Sequence, residues 1–414
     1  MSKNLTRRRY LQGLAAGVAY AAAATKAPAE NASVAYGKKM IPAGIRSRFV
    51  KNVNGLTVHA LEAGYETPGR QMLLLLHGYP ELAYSWRKVM LPLASAGYHV
   101  VAPDQRGFGQ TTGWDPSYDA ELSNFSMLNM VRDALSLVNA LGYHSVPAVI
   151  GHDAGSPVAA WCSLVRPDVF KSVVMMSAPF GGTPALPFNT ANQPAPRAAA
   201  GPSLEEQLAA LPRPRKRYSR YYTTRPANDD MLHAPQGLHA FFRAYYYYKS
   251  ADWKGNHPFP LKNQSAEEMA KLPTYYVMDL NKNMAETVAE HMPAAVEIAA
   301  CKWLTEDDVD VYVSEYARTT FQGGLQLYRG GADPKSNAEL LTFAGRTIDV
   351  PSMFIGGKSD WGVFQTAGVA ERMQTTACTK MVGFHRVEGA GHWVQQEQPE
   401  EVSKLLLEFL KRAV

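Results

Sequence analysis

Gly151-His152-Asp153-Ala154-Gly155-Ser156 follows the apolar run Val146-Pro147-Ala148-Val149-Ile150 and precedes an Ala-rich stretch, Pro157 to Val165. That order predicts a strand, a tight turn and a helix, with small residues at the two places where strand and helix must approach closely. The residue at the tip is Asp153. A strained strand-to-helix turn lifts its tip side chain above the sheet. A hydroxyl there must lose a proton before it attacks, whereas a carboxylate is already a nucleophile at neutral pH. A carboxylate suits attack on an electrophilic sp³ carbon, followed by hydrolysis of the resulting alkyl ester. The competing role for Asp at such a junction is capping the helix that follows. Its neighbours in the fold decide between the two.

Four further segments fit the same architecture in chain order. Met72-Leu73-Leu74-Leu75-Leu76 is a continuous apolar run, as expected of a strand buried on both faces. It ends in His77-Gly78-Tyr79-Pro80, a turn whose backbone N–H can face the tip. His99-Val100-Val101-Ala102-Pro103 is the next such run and leads into Asp104-Gln105-Arg106-Gly107-Phe108-Gly109. Near the C-terminus, Val350 to Ile355 ends in Gly356-Gly357-Lys358-Ser359-Asp360, and His385-Arg386-Val387-Glu388 leads into Gly389-Ala390-Gly391-His392-Trp393. A nucleophile, an acid and a histidine thus come in that order, with His392 placed 32 residues after Asp360. Glu388 is the rival acid but falls at the end of a strand.

These motifs together resemble the epoxide hydrolase and haloalkane dehalogenase branch of the α/β-hydrolases, and the chain looks most like the epoxide hydrolases. The resemblance implies an α/β-hydrolase fold, a mostly parallel eight-stranded sheet with a helical cap inserted after the sixth strand. Residues 45–180 and 341–414 match the two parts of the catalytic core, and 181–340 fill the place of the cap. It also implies a cis peptide before Pro80 and an oxyanion hole built from the Tyr79 and Ala154 N–H groups. The sequence itself supports the division. Residues 46–66 alternate apolar and polar, as in an antiparallel pair, and strands and helices then alternate to about Phe180. The Pro-, Ala- and Asn-rich stretch from Gly181 to Pro202 reads as a loop leaving the sheet. Beyond it no buried strand stands out, and Ser265 and Thr305 open helices with capping signals.

In the cap, Tyr312 precedes Phe321-Gln322-Gly323-Gly324, a segment ending in Leu327-Tyr328-Arg329. By the resemblance, Tyr312 is one of two ring-opening tyrosines. The second comes from the run Tyr245-Tyr246-Tyr247-Tyr248, with Tyr245 favoured by spacing and Tyr246 open if the register slips. The implied function is epoxide hydrolysis: Asp153 attacks an epoxide carbon, the tyrosines protonate the ring oxygen, and His392, oriented by Asp360, activates water against the ester. Dehalogenation of a haloalkane or haloacid uses the same nucleophile. The Trp or Arg that dehalogenases of this branch place just after it is absent from Ala154-Gly155-Ser156-Pro157-Val158. A ligand-binding protein without turnover is the remaining alternative, and the full set Asp153, Asp360 and His392 argues against it.

The 414 residues, 46% apolar, suffice for a large core. The net charge of +5 is modest, and the cluster Arg213, Arg215, Lys216, Arg217, Arg220 reads as a solvated face rather than a nucleic-acid stripe. Cys162, Cys301 and Cys378 have neither metal-ligand spacing nor an even count, so neither a metal site nor a disulfide framework is expected, and no cofactor is implied. The expected partner is a small-molecule epoxide. At the N-terminus, Thr6-Arg7-Arg8-Arg9-Tyr10-Leu11, an apolar stretch from Gly13 and the exit Ala27-Pro28-Ala29 resemble a twin-arginine signal over residues 1–29. Export to the periplasm or beyond is expected, with no membrane anchor.

Overall fold

The structure, a computed structural model, describes residues 35–36, 39–196 and 201–413, so the signal-like segment lies outside the described residues. The centre is an eight-stranded sheet. Its strands are β1 (Ile45–Val53), β2 (Leu56–Ala63), β3 (Met72–Leu76), β4 (His99–Pro103), β5 (Val149–His152), β6 (Val173–Met176), β7 (Ser352–Gly357) and β8 (Met381–Val387). Their spatial order is β8-β7-β6-β5-β3-β4-β2-β1. The antiparallel pairings are β1 with β2 and β2 with β4; the others are parallel. The central strands β3 and β5 are buried along their whole length, as the unbroken apolar run of β3 predicts, and the burial of β5 extends to its polar last residue, His152.

Helices α1 (Arg87–Ser95), α2 (Met127–Ala140) and α3 (Gly155–Val165) connect the first strands. Between β6 and β7, over residues 177–351, the chain leaves the sheet for a mainly helical excursion, whose longest members are α4 (Leu238–Lys249), α5 (Glu306–Thr319) and α6 (Gln322–Ala332). Thr305 and Asp308 form the capping box at the head of α5, as the sequence suggests. Ser265 likewise caps Ala266–Met269.

Two sequence expectations need correction here. The excursion does contain a buried strand: Val277–Asp279 pairs antiparallel with Arg215–Arg217. Three residues are too few to show a period. The basic cluster is also not simply a solvated face. Arg215 is buried and donates to the Val277 carbonyl, while Arg213 makes a two-pronged bond to Asp279 at 2.6 and 2.8 Å. Guanidinium stems pack well under apolar cover, so charge alone is a poor guide to exposure. Cys162 and Cys378 are buried and unpaired. The C-terminal α7 (Pro399–Ala413) packs against α1. No helix among the described residues is long and apolar enough to cross a membrane.

Candidate active site

Asp153 follows the last residue of β5 and has φ of +50°, a left-handed backbone that few non-glycine residues adopt. Glycines on either side make the turn sterically possible. A Cβ on Gly151 would lie 2.0 Å from the Gly155 carbonyl oxygen, and one on Gly155 would lie 2.3 Å from that of Leu76. Gly78, across the turn, approaches so closely that a Cβ there would sit 2.4 Å from the Asp153 Cβ. The turn therefore presses Asp153 against the loop after β3. Strain of this kind is typically held only where the surrounding structure over-determines it.

The peptide before Pro80 is cis. The Tyr79 N–H donates to Asp153 Oδ1 at 2.9 Å. Ala154 stands at the head of α3 and reaches the wall of the cavity above Asp153. His392 Nε2 lies 3.2 Å from Asp153 Oδ2, and His392 Nδ1 lies 3.2 Å from Asp360 Oδ1. Asp360 also accepts the Gly362 N–H at 2.7 Å and is almost wholly buried. Glu388, the rival acid, is exposed and ion-paired with Lys358. The three residues that the sequence placed far apart thus meet as a carboxylate, an imidazole and a second carboxylate in line. Burial opposes ionisation of Asp153, yet His392, Lys249 and His152 outweigh it and hold its carboxyl well below the usual carboxylate range. Asp360 is likewise held low, burial being overruled by His392 and the Gly362 N–H.

Beside the tip, His152 Nδ1 is 2.5 Å from Glu81 Oε2, and its Nε2 is 2.7 Å from the His392 carbonyl oxygen. Glu81 also accepts from the Gly78 N–H and from the amides of Gln395 and Gln396. This buried network ties the loop after β3 to the His392 loop. Ser156, the nearest hydroxyl to the tip in sequence, donates to the Ala178 carbonyl at 2.6 Å and is held in the core.

A cavity of 260 Å³ opens over Asp153. Its wall is mostly apolar, with Phe125, Met130, Val158 and Leu327 among its residues, and its titratable groups are Asp153, Tyr218 and Tyr328. The two phenol rings are 5.9 Å apart in an edge-on arrangement. Burial and the nearby Asp153 carboxylate push Tyr218 up to about 12, so it keeps its proton at neutral pH. Tyr328 is pushed up in the same sense by burial, Tyr218 and Asp153.

The tyrosines expected from the sequence are elsewhere. Tyr312 is fully buried, with its hydroxyl on Ser85 Oγ at 2.8 Å and Gln396 Oε1 at 3.1 Å. Tyr246 donates to the Pro80 carbonyl at 3.1 Å and stacks on Trp393. Tyr245 lies 3.2 Å, hydroxyl to hydroxyl, from Tyr222. None of the three lines the cavity. Helical periodicity marks a buried face but does not say whether that face meets core or cavity. Tyr328 lay within the quoted segment, seven residues after Phe321, and Tyr218 ends the run Arg215-Lys216-Arg217-Tyr218. Nothing in either local pattern distinguishes a cavity phenol from a core one.

Comparison with known proteins bears on the fold that carries this site. A family model described as the alpha/beta hydrolase fold matches residues 71–399. Epoxide hydrolase A of Mycobacterium tuberculosis is 28% identical over 368 residues, covering 87% of this chain and 95% of the relative. Epoxide hydrolase 1 of Siraitia grosvenorii is 29% identical over 363 residues, covering 87% and 96%. Among solved structures, an epoxide hydrolase from an endophytic Streptomyces superposes with a TM-score of 0.68 at 27% identity, covering 89% of this chain and 96% of that one. Potato (Solanum tuberosum) epoxide hydrolase I gives 0.66 at 27% identity, covering 89% and 99%. With its sheet order, the turn at Asp153 and a family match across most of its length, this chain belongs to the α/β-hydrolase fold family.

Proposed function

We propose that this protein is an epoxide hydrolase, a hydrolase that converts a small apolar epoxide to a vicinal diol through an ester on Asp153. The observation that carries the reading is the cavity itself, in which one ionised carboxylate faces two protonated phenols across an apolar wall. Asp153 Oδ2 attacks an epoxide carbon, and the C–O bond of the ring breaks with its electron pair passing to oxygen. An alkoxide is a poor leaving group, so Tyr218 and Tyr328 hydrogen-bond that oxygen and supply its proton. The product is an ester whose carbonyl oxygen is Oδ1, already under the Tyr79 N–H. Water then adds to the ester carbon as His392 takes its proton, with Asp360 stabilising the imidazolium. The electron pair of the carbonyl moves to Oδ1, where the Tyr79 and Ala154 N–H groups receive it; one such donor is typically worth ~3–4 kcal/mol. Collapse expels the diol oxygen, which is protonated, and restores the Asp153 carboxylate.

This assigns the ring-opening role to Tyr218 and Tyr328 in place of Tyr312, Tyr245 and Tyr246. Halide release is not favoured, because the wall offers neither an indole nor a guanidinium to hold a leaving halide or a substrate carboxylate. The test is product analysis with purified protein. Diol is expected from small apolar epoxides and no halide from organohalides of matching size. Halide release without diol formation overturns the reading.

A further inference from the structure

Gly391, His392 and Trp393 form irregular, buried backbone, where every N–H needs an acceptor. All three find one. The Gly391 N–H donates to Glu397 Oε2 at 2.9 Å, the His392 N–H to the Lys249 carbonyl at 2.9 Å, and the Trp393 N–H to Glu397 Oε1 at 2.9 Å. The His392 carbonyl is fixed as well, since it accepts from Ser177 Oγ at 2.9 Å. Glu397 ends the short helix Val394–Glu397. Side chains on a helix lean toward its N-terminus, so a glutamate one turn after Trp393 reaches back over the residues that precede the helix. Alone this would be ordinary capping of a helix start. Two observations go further. Glu397 Oε2 also accepts the Ala251 N–H at 2.8 Å, and Ala251 belongs to the excursion, just past the end of α4. Gly391 is pressed against the same stretch: a Cβ on it would fall 2.4 Å from the Ser250 carbonyl carbon and 2.6 Å from the Ala251 nitrogen. One side chain thus holds the residues on both sides of His392 and pins them to the excursion.

We propose that Glu397 is a positioning residue for His392: by holding the Gly391, Trp393 and Ala251 N–H groups at once, it keeps the imidazole in line between Asp153 and Asp360. Glu397 acts through the backbone and does not line the cavity. The imidazole is sensitive to its placement. Its contacts with Asp153 and Asp360 are both 3.2 Å, at the long end of the hydrogen-bond range, so a small shift of the loop breaks them. His392 enters the reaction only when water attacks the ester. A displaced ring therefore slows hydrolysis of the ester and spares its formation. A residue that merely stabilised the fold would not divide the two steps. The kinetic consequence rests on the ester mechanism proposed above; the consequence for the position of the ring does not.

Amide hydrogen exchange of the unaltered protein is the first test. The Ala251, Gly391 and Trp393 N–H groups should be protected together, and free exchange at any of them overturns the proposal. The second test is Glu397→Gln, which puts a donating amide nitrogen where one oxygen accepts, so that one arm of the clamp sets N–H against N–H. In single-turnover kinetics with an epoxide, ester hydrolysis is expected to slow about tenfold, the effect of one lost hydrogen bond, with ester formation unchanged and ester accumulating. Slowing of formation, or of neither step, overturns the proposal. Proton NMR of the same variant needs no substrate. The low-field signal of the proton between His392 Nδ1 and Asp360 should move or broaden, and an unmoved signal overturns the proposal whether or not epoxides are substrates. If Glu397→Gln does not fold, Glu397→Asp takes its place with the same expected results, because a side chain one methylene shorter cannot span both arms.

Discussion

At the scale of single residues, the chemistry depends on where four oxygens point. Asp153 Oδ1 meets a backbone N–H, Oδ2 meets His392, and the phenols of Tyr218 and Tyr328 close the other side of the cavity. An Asp at a helix start is ordinarily a cap, but here the side chain is turned away from helix α3, which has no side-chain cap. The division between the tyrosines is directly testable. Tyr218→Phe or Tyr328→Phe alone should reduce the rate of ester formation about tenfold or somewhat more, because the remaining phenol still donates. The double variant should lose ~10²–10⁴-fold, the range for a missing general acid. Tyr312→Phe should leave ring opening near its normal rate and lower thermal stability instead, since it strips a partner from Ser85 and Gln396. Rapid-quench kinetics on the four variants separates these outcomes; a Tyr312→Phe protein as impaired as the double variant contradicts the assignment.

At the scale of elements, legibility followed length and context. The apolar runs at 72–76 and 99–103 are strands over their whole length, and those that open at 146 and 350 become strands at Val149 and Ser352, because a strand buried on both faces carries few polar residues to disguise it. The turn at Asp153 was legible for the same steric reason that it exists, since only glycine fits where Gly155 meets Leu76. The triad-like order of Asp153, Asp360 and His392 was readable because each follows a recognisable strand. Within the cap this logic fails. The four-tyrosine run in α4 spreads its hydroxyls to Tyr222, Pro80, Glu297 and Thr274, a choice made by tertiary packing that no local pattern encodes. The steric argument carries its own prediction. Gly155→Ala puts a methyl group against the Leu76 carbonyl, and should destabilise the fold by about 1–3 kcal/mol and lower activity through a displaced Asp153. Calorimetry showing an unchanged Tm with full activity contradicts the close approach.

At the scale of the whole molecule, the excursion after β6 supplies Tyr218, Leu327 and Tyr328 to a cavity whose floor belongs to the sheet. Cap and sheet meet without side chains at one point, where a Cβ on Gly323 would fall 2.0 Å from the Gly107 carbonyl oxygen. The proposed export rests on residues 1–29 alone. A transport receptor that reads the arginine pair as an address should fail with Arg7→Lys, Arg8→Lys and Arg9→Lys together, leaving the precursor in the cytoplasm. Cell fractionation showing unchanged export of that triple variant rules out this route. The central claim is the ester on Asp153, and its most direct measurement is intact-protein mass spectrometry. With His392→Gln, which blocks water activation and spares attack, incubation with a turned-over epoxide should add the mass of one substrate, and peptide mapping should place it on Asp153. No adduct under those conditions, or an adduct on another residue, contradicts the account.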